Sequence, residues 1–254
     1  MEDYATAQEV YVGVMIFARL GAIMMLLPGF GEQSVPPRVR LSMAVPMALM
    51  MFPLVSPMLP AMPQTVSGLF GGLIREVLIG LMIGGVLRMF FSSLAVAGEI
   101  VSLQTTLSFS QTASPMEAQP STSLSTFLTV MGITLIFATN LHHMFITAIF
   151  GSYDLFAPGK NLPLADAGTL AIQTVGKSFA LGLQLAAPVV VFAIVFNIAT
   201  GLVGRLMPQF QIFFVASPLS VIFGLSIFAL SLGLLAIVWI GQYRDLAANF
   251  GGAP

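Results

Sequence analysis

Charge is scarce in this sequence. Only 7% of its 254 residues are Asp, Glu, Lys or Arg, where a soluble domain carries about a quarter. With 57% apolar residues, a water-soluble globule is excluded and an integral membrane protein is implied. The net charge of −1 leaves no basic field to hold nucleic acid. Cysteine is absent, so neither a disulfide framework nor a thiolate metal site can form. The acidic start, MEDYATAQEV, lacks the basic segment of a cleaved signal peptide, so the apolar run from Val10 is expected to be retained. Reaction chemistry is missing too: there is no HExxH, no GxSxG and no Gly-rich phosphate loop. His142 and His143 are adjacent, and neighbouring helix positions point about 100° apart, so they cannot grip one ion from one face. The sequence points to a protein that is not an enzyme and holds no cofactor or metal.

What is abundant is apolar sequence in long blocks. The expected fold is all-α and multispanning, with six hydrophobic blocks near the roughly 20 residues one crossing needs. They run Val10 to Phe30, from Leu41 onward, Val66 to Gly98, Phe127 to Phe150, Phe179 to Val203 and Phe210 to Ile240. The second is expected to be helical to Met51 and irregular beyond it, because Pro53, Pro57, Pro60 and Pro63 follow. GSYDLFAPGKNLPLADAG, after the fourth block, reads as an aqueous loop. Trp239 and Tyr243, at the end of the sixth, read as interfacial anchors.

Three details sharpen this picture. Arg75-Glu76 and Arg88 lie in one block, about 20 Å apart on a helix, so at least one arginine lies deep and must face protein rather than lipid. Gly68, Gly72, Gly80 and Gly84 recur at multiples of four, which lets helices approach closely. From Gln209 to Tyr243 no residue is charged. As one helix this stretch spans roughly 52 Å against a hydrocarbon core of about 30 Å, which favours protrusion against partner proteins.

Between the third and fourth blocks lies SLQTTLSFSQTASPMEAQPSTSLST, residues 102–126, in which 15 of 25 residues are Ser, Thr or Gln and only Glu117 is charged. It has no Lys, Asp or Gly, the residues that keep and turn a solvated loop. Two readings stand at this point: a polar loop on the membrane surface, or a segment enclosed at membrane depth, where irregular backbone survives only inside protein or along a watery cavity. The second makes it a closure within a passage. A conduit for varied polypeptides suits a neutral lining, because strong charge would trap segments of opposite sign. The alternative is an ion-coupled secondary transporter using Glu76 or Glu99, the two candidate intramembrane carboxylates.

Two stretches carry a family resemblance. LPGFGEQSVPPRVRLSMAVPMAL and NIATGLVGRLMPQFQIFFVASPLSVIFGL resemble the early and carboxy-terminal signatures of the FliR family of flagellar biosynthetic proteins, components of the type III export gate. Gly201, Arg205, Pro208, Gln209, Pro218 and Gly224 stand at matching positions, and block order and length agree over essentially the whole chain. The resemblance implies a single non-enzymatic membrane unit, with a FliP-like part over residues 1–170 followed by a FliQ-like helical hairpin over 171–254. It implies a hetero-oligomer with FliP-like and FliQ-like subunits, contacted by an FlhB-like protein and by membrane lipid, in the bacterial inner membrane at the flagellar basal body. Exported flagellar polypeptides would pass through, and no nucleic acid is involved. The segment within 102–126 becomes a pore plug from Thr106 to Thr122, with Phe109 and Met116 as bulky occluders and Gln111 and Glu117 among its polar members. The turn with Gly201, Arg205, Pro208 and Gln209 becomes a partner contact. One departure stands out: the family pattern has a Gly near Thr106, where this chain has the β-branched pair Thr105-Thr106.

Overall fold

The computed structural model describes residues 6–32, 34–110, 122–159, 164–207, 209 and 211–250. Among the described residues every regular element is helical. The helices are α1 (Ala7–Leu26), α2 (Pro37–Val55), α3 (Val66–Phe91), α4 (Ser93–Gln104), α5 (Ser123–Ala138), α6 (Leu141–Leu155), α7 (Leu164–Leu206) and α8 (Ile212–Ala248). Short 3-10 turns occupy Ser56–Met58 and Leu107–Ser110. Five helical stretches are long and apolar enough to cross a membrane, or six if the broken pair α5–α6 makes one crossing. The all-α multispanning expectation therefore holds.

Four local expectations are corrected. The second block stays helical to Val55 with Pro46 and Pro53 inside it; within a membrane, neighbouring groups can re-satisfy the backbone a proline frees. The fourth block is not one helix, because it breaks at Asn140, whose backbone is left-handed at φ 58°. Asn tolerates that conformation better than most residues. The supposed aqueous loop is largely helix: α6 runs on through Gly151, Ser152 and Tyr153, all buried, and α7 begins at Leu164. Trp239 and Tyr243 are not interfacial anchors. Both are fully buried, each spending its polar tip on a hydrogen bond: the Trp239 indole N–H donates to Ser93 Oγ (3.2 Å) and the Tyr243 hydroxyl donates to the Leu87 carbonyl (3.3 Å).

The chain divides into two compact units, one of Met1–Phe90, Ile136–Val175 and Tyr243–Pro254, the other of Phe91–Leu135 and Gly176–Gln242. In the first, α1 starts with a capping box: the Glu9 amide donates to Thr6 Oγ1, and the Glu9 carboxylate accepts the Thr6 N–H. Three of the four spaced glycines on α3, Gly72, Gly80 and Gly84, face α1, whereas a Cβ at Gly68 would meet Pro63 and Thr65 just ahead of its own helix. A Cβ at Gly80 would lie 2.6 Å from both Ala22 Cβ and the Arg19 carbonyl, and one at Gly84 would lie 2.9 Å from Leu26 Cβ. The backbones of α1 and α3 therefore nearly touch.

That approach brings together two charges. Arg19 of α1 and Glu76 of α3, 0% and 1% exposed, pair at 2.5 Å. Arg19 also donates to the Ser152 carbonyl (2.9 Å) and hydroxyl (3.3 Å) and to the Phe156 carbonyl (3.1 Å), and its guanidinium lies 4.0 Å from the Tyr153 ring centre. Both carbonyls lie at the end of α6: that of Ser152 already accepts the Phe156 N–H at 2.9 Å and takes Arg19 as a second donor, and that of Phe156 is at the C-cap, where a helix leaves its last acceptors unpaired. Arg75 donates to the Ala157 carbonyl (2.8 Å), and Arg88 pairs with Glu32 at 2.9 Å. Arg75 and Arg88 both find protein partners, although the Arg88 side chain stays 41% exposed.

In the second unit the packing is largely neutral. Trp239 sits edge-on to Phe91, ring centres 5.8 Å apart, and Phe127 meets Phe228 at 6.5 Å. Helix hydroxyls bond to their own backbone: Thr129 to the Ser125 carbonyl, Ser226 to that of Ile222 and Ser231 to that of Phe228. These bonds satisfy the hydroxyl without requiring a partner on another helix.

Candidate functional site

The neutral polar stretch leaves α4 under tight constraint. Thr105, fully buried, donates from its hydroxyl to the Val101 carbonyl at 2.9 Å, which turns its methyl group outward against α8. There the matching position is Gly224, where a Cβ would come within 2.4 Å of Thr105 Cγ2. The fit needs glycine at 224. The next residue, Thr106, has φ 61°, the left-handed region that glycine enters freely and a β-branched residue only with strain. The departure from the family pattern thus falls where the backbone itself asks for glycine. The chain then makes the 3-10 turn Leu107–Ser110.

Beside this turn-off is a cavity of about 270 Å³ between α7 and α8. Thr106, Asn197, Thr200, Gly201, Ser217 and Ser220 line it. Its polar wall is neutral, made of hydroxyls and one amide.

The stretch returns to helix at Thr122, which is buried. The Thr122 N–H donates to Glu99 Oε1 at 2.9 Å, and its hydroxyl accepts the Ser125 N–H at 3.2 Å. Gly98 lies directly beneath: a Cβ there would be 2.4 Å from Ser125 Cα. Both ends of the polar stretch are therefore built into packing of the same unit.

The residues singled out from the sequence fall into four groups. Thr106 and Gly201, from separate motifs, meet at the cavity. Thr122 is at the return end, held by Glu99. Arg205 is exposed in the last turn of α7 and Gln209 is exposed in the turn beyond it; neither lines the cavity. Gln111, Met116, Glu117, Pro208 and the Phe109 side chain lie outside the described residues.

The Arg19–Glu76 pair was not anticipated. A signal existed, because a buried charge requires a partner and the first and third blocks each carry one of opposite sign. The two carboxylates of the transporter alternative are both engaged, Glu76 with Arg19 and Glu99 with the Thr122 amide. His142 and His143 lie at the start of α6 with ring centres 4.3 Å apart.

Residues 10–246 match the family model of bacterial export proteins, family 1. The chain belongs to this family. It is 57% identical over 250 residues to the flagellar biosynthetic protein FliR of Caulobacter vibrioides, covering 98% of this chain and 100% of that protein. The FliR protein of Escherichia coli K12 is 30% identical over 221 residues, covering 86% of this chain and 83% of its own length. That of Aquifex aeolicus is 29% identical over 255 residues, covering 98% and 96%. The chain is thus an integral membrane member of the export family, related over nearly its whole length to flagellar biosynthetic proteins. A component of the flagellar export apparatus is what these relationships support.

Proposed function

We propose that the chain is a subunit of the flagellar type III export gate in the bacterial inner membrane, and that it helps form and close the pore through which flagellar polypeptides leave the cell. FliP-like and FliQ-like subunits complete the assembly, and an FlhB-like protein contacts it. The observation that carries this reading is the neutral hydroxylic stretch with both ends locked into one unit, in a chain of an export family. Such a segment presents many hydrogen-bonding groups and a single charge, Glu117, which suits the inside of a polypeptide conduit.

Helix length supports an assembly. The 43 residues of α7 and 37 of α8 correspond to roughly 64 and 55 Å, about twice the hydrocarbon thickness. Exposed apolar residues continue along both, from Ile172 to Leu206 and from Phe214 to Val238. Lipid tails cannot cover that length, so partner helices must cover the remainder. In this reading, residues 171–254 act as the FliQ-like hairpin and residues 1–170 as the FliP-like part, with Gly201, Arg205, Pro208 and Gln209 at a contact for neighbouring subunits.

Deleting Ser110 to Gln119 tests the closure. The expected result is leakage of small solutes across the inner membrane with the complex still assembled. Loss of assembly without leakage makes the stretch a structural clasp and ends the plug reading. Arg205→Glu should reduce swimming by weakening the contact with neighbouring subunits; unchanged motility removes that role. Co-purification with two other small hydrophobic proteins is expected, whereas a stable monomer or homodimer would return the reading to a transporter using Glu76 or Glu99.

A further inference from the structure

We propose that Glu99 is a positioning residue which fixes the point where the polar stretch re-enters the helical unit, by completing from α4 a capping box that α5 lacks. The contrast with α1 makes the case. There the box is local: Thr6 is the N-cap, and Glu9, three residues on, reaches back to the Thr6 amide. At α5, Thr122 fills the N-cap role, its hydroxyl taking the Ser125 N–H. The residue three positions on is Ser125, whose hydroxyl instead donates to the Ala95 carbonyl at 3.2 Å. The missing carboxylate arrives from another helix, as Glu99 accepts the Thr122 N–H.

Ala95 and Glu99 are four residues apart and so share one face of α4. Two hydrogen bonds one turn apart, to Ser125 and Thr122, fix α5 in register on α4. Gly98 leaves the space that lets the backbones meet between them. A local box would hold the first turn of α5 equally well but would leave α5 free to slide along α4. A box split between helices does both jobs, and a carboxylate at a helix N-terminus also opposes the helix dipole favourably. The consequence for pore closure rests on the reading given under Proposed function; the clamp itself does not.

The test compares the wild-type complex with Glu99→Ala and Glu99→Gln complexes, using amide hydrogen exchange across residues 122–126 and small-solute leakage in cells. Removing a hydrogen bond to a charged acceptor should speed exchange there about tenfold in Glu99→Ala. Gln keeps an acceptor of the same reach without the charge, so about threefold is expected. Leakage should rise in the same order. Glu99→Gln preserves side-chain volume and decides the matter if the alanine variant fails to assemble. Unchanged exchange in the assembled variants overturns the proposal. Faster exchange without leakage supports the clamp and overturns the pore reading instead.

Discussion

In the first unit a buried arginine joins α1, α3 and the end of α6 through five hydrogen-bonding and ring contacts, whereas the second unit, across Phe91–Leu135 and Gly176–Gln242, carries only Glu99, Glu117, Lys177 and Arg205 as charged residues. There, apart from the hydrogen bonds of Glu99 to Thr122, Ser125 to Ala95 and Trp239 to Ser93, helices meet through glycines, hydroxyls bonded to their own backbone, and aromatic edges. The two solutions behave differently under substitution. A buried ion pair is intolerant of losing one member, since the survivor is left charged and unpaired. Neutral packing fails in smaller steps, by overlap or by strain, and each step has a local remedy. The second solution also yields surfaces that do not attract charged segments, which the conduit reading requires.

The largest expected effect lies in the first unit. Arg19→Met leaves Glu76 alone in the interior and should destabilise by about 3–5 kcal/mol, seen as loss of folded protein from solubilised membranes. Adding Glu76→Leu should recover most of the yield, because removing both charges also removes the need for either. A double variant as poor as the single one would mean that the pair organises the fold rather than merely satisfying itself.

A smaller effect is expected at the helix crossings. Gly224→Ala should cost about 1–3 kcal/mol of overpacking, and Thr105→Ser should relieve it, since the overlap is with the Thr105 methyl group. Gly80→Ala should cost a similar amount with no such rescue, because one obstructing atom is the Arg19 carbonyl. Thermal unfolding of Gly224→Ala, of Gly224→Ala with Thr105→Ser, and of Gly80→Ala distinguishes a side-chain obstruction from a backbone one. Equal behaviour of the pair at 224 with and without Thr105→Ser would break the contrast.

The smallest effect is expected at Thr106. Glycine there removes the left-handed strain, worth about 1–2 kcal/mol, but adds about 0.5–1 kcal/mol of chain entropy to be lost on folding. The net gain, from about zero to about 1.5 kcal/mol, should appear as a small rise in the melting temperature of the complex. A fall would mean that the threonine side chain contributes more at the cavity than its backbone costs.

Much of this architecture is written locally. Scarcity of charge and long apolar blocks decide a helical membrane protein, because backbone in lipid must satisfy its own hydrogen bonds. The spacing of Gly68, Gly72, Gly80 and Gly84 announces a helix crossing, in which only Gly68 takes no part, and the almost chargeless stretch 102–126 announces itself by composition. Which helix is crossed, and which carboxylate holds Thr122, is not local information. Arg19 and Glu76 are 57 residues apart, and Glu99 and Thr122 are 23 apart; their pairing depends on how the helices pack. Trp239 and Tyr243 show the same limit. An aromatic ring with a polar tip suits an interface or a core equally well, and only the presence of Ser93 Oγ and the Leu87 carbonyl within reach decided for the core.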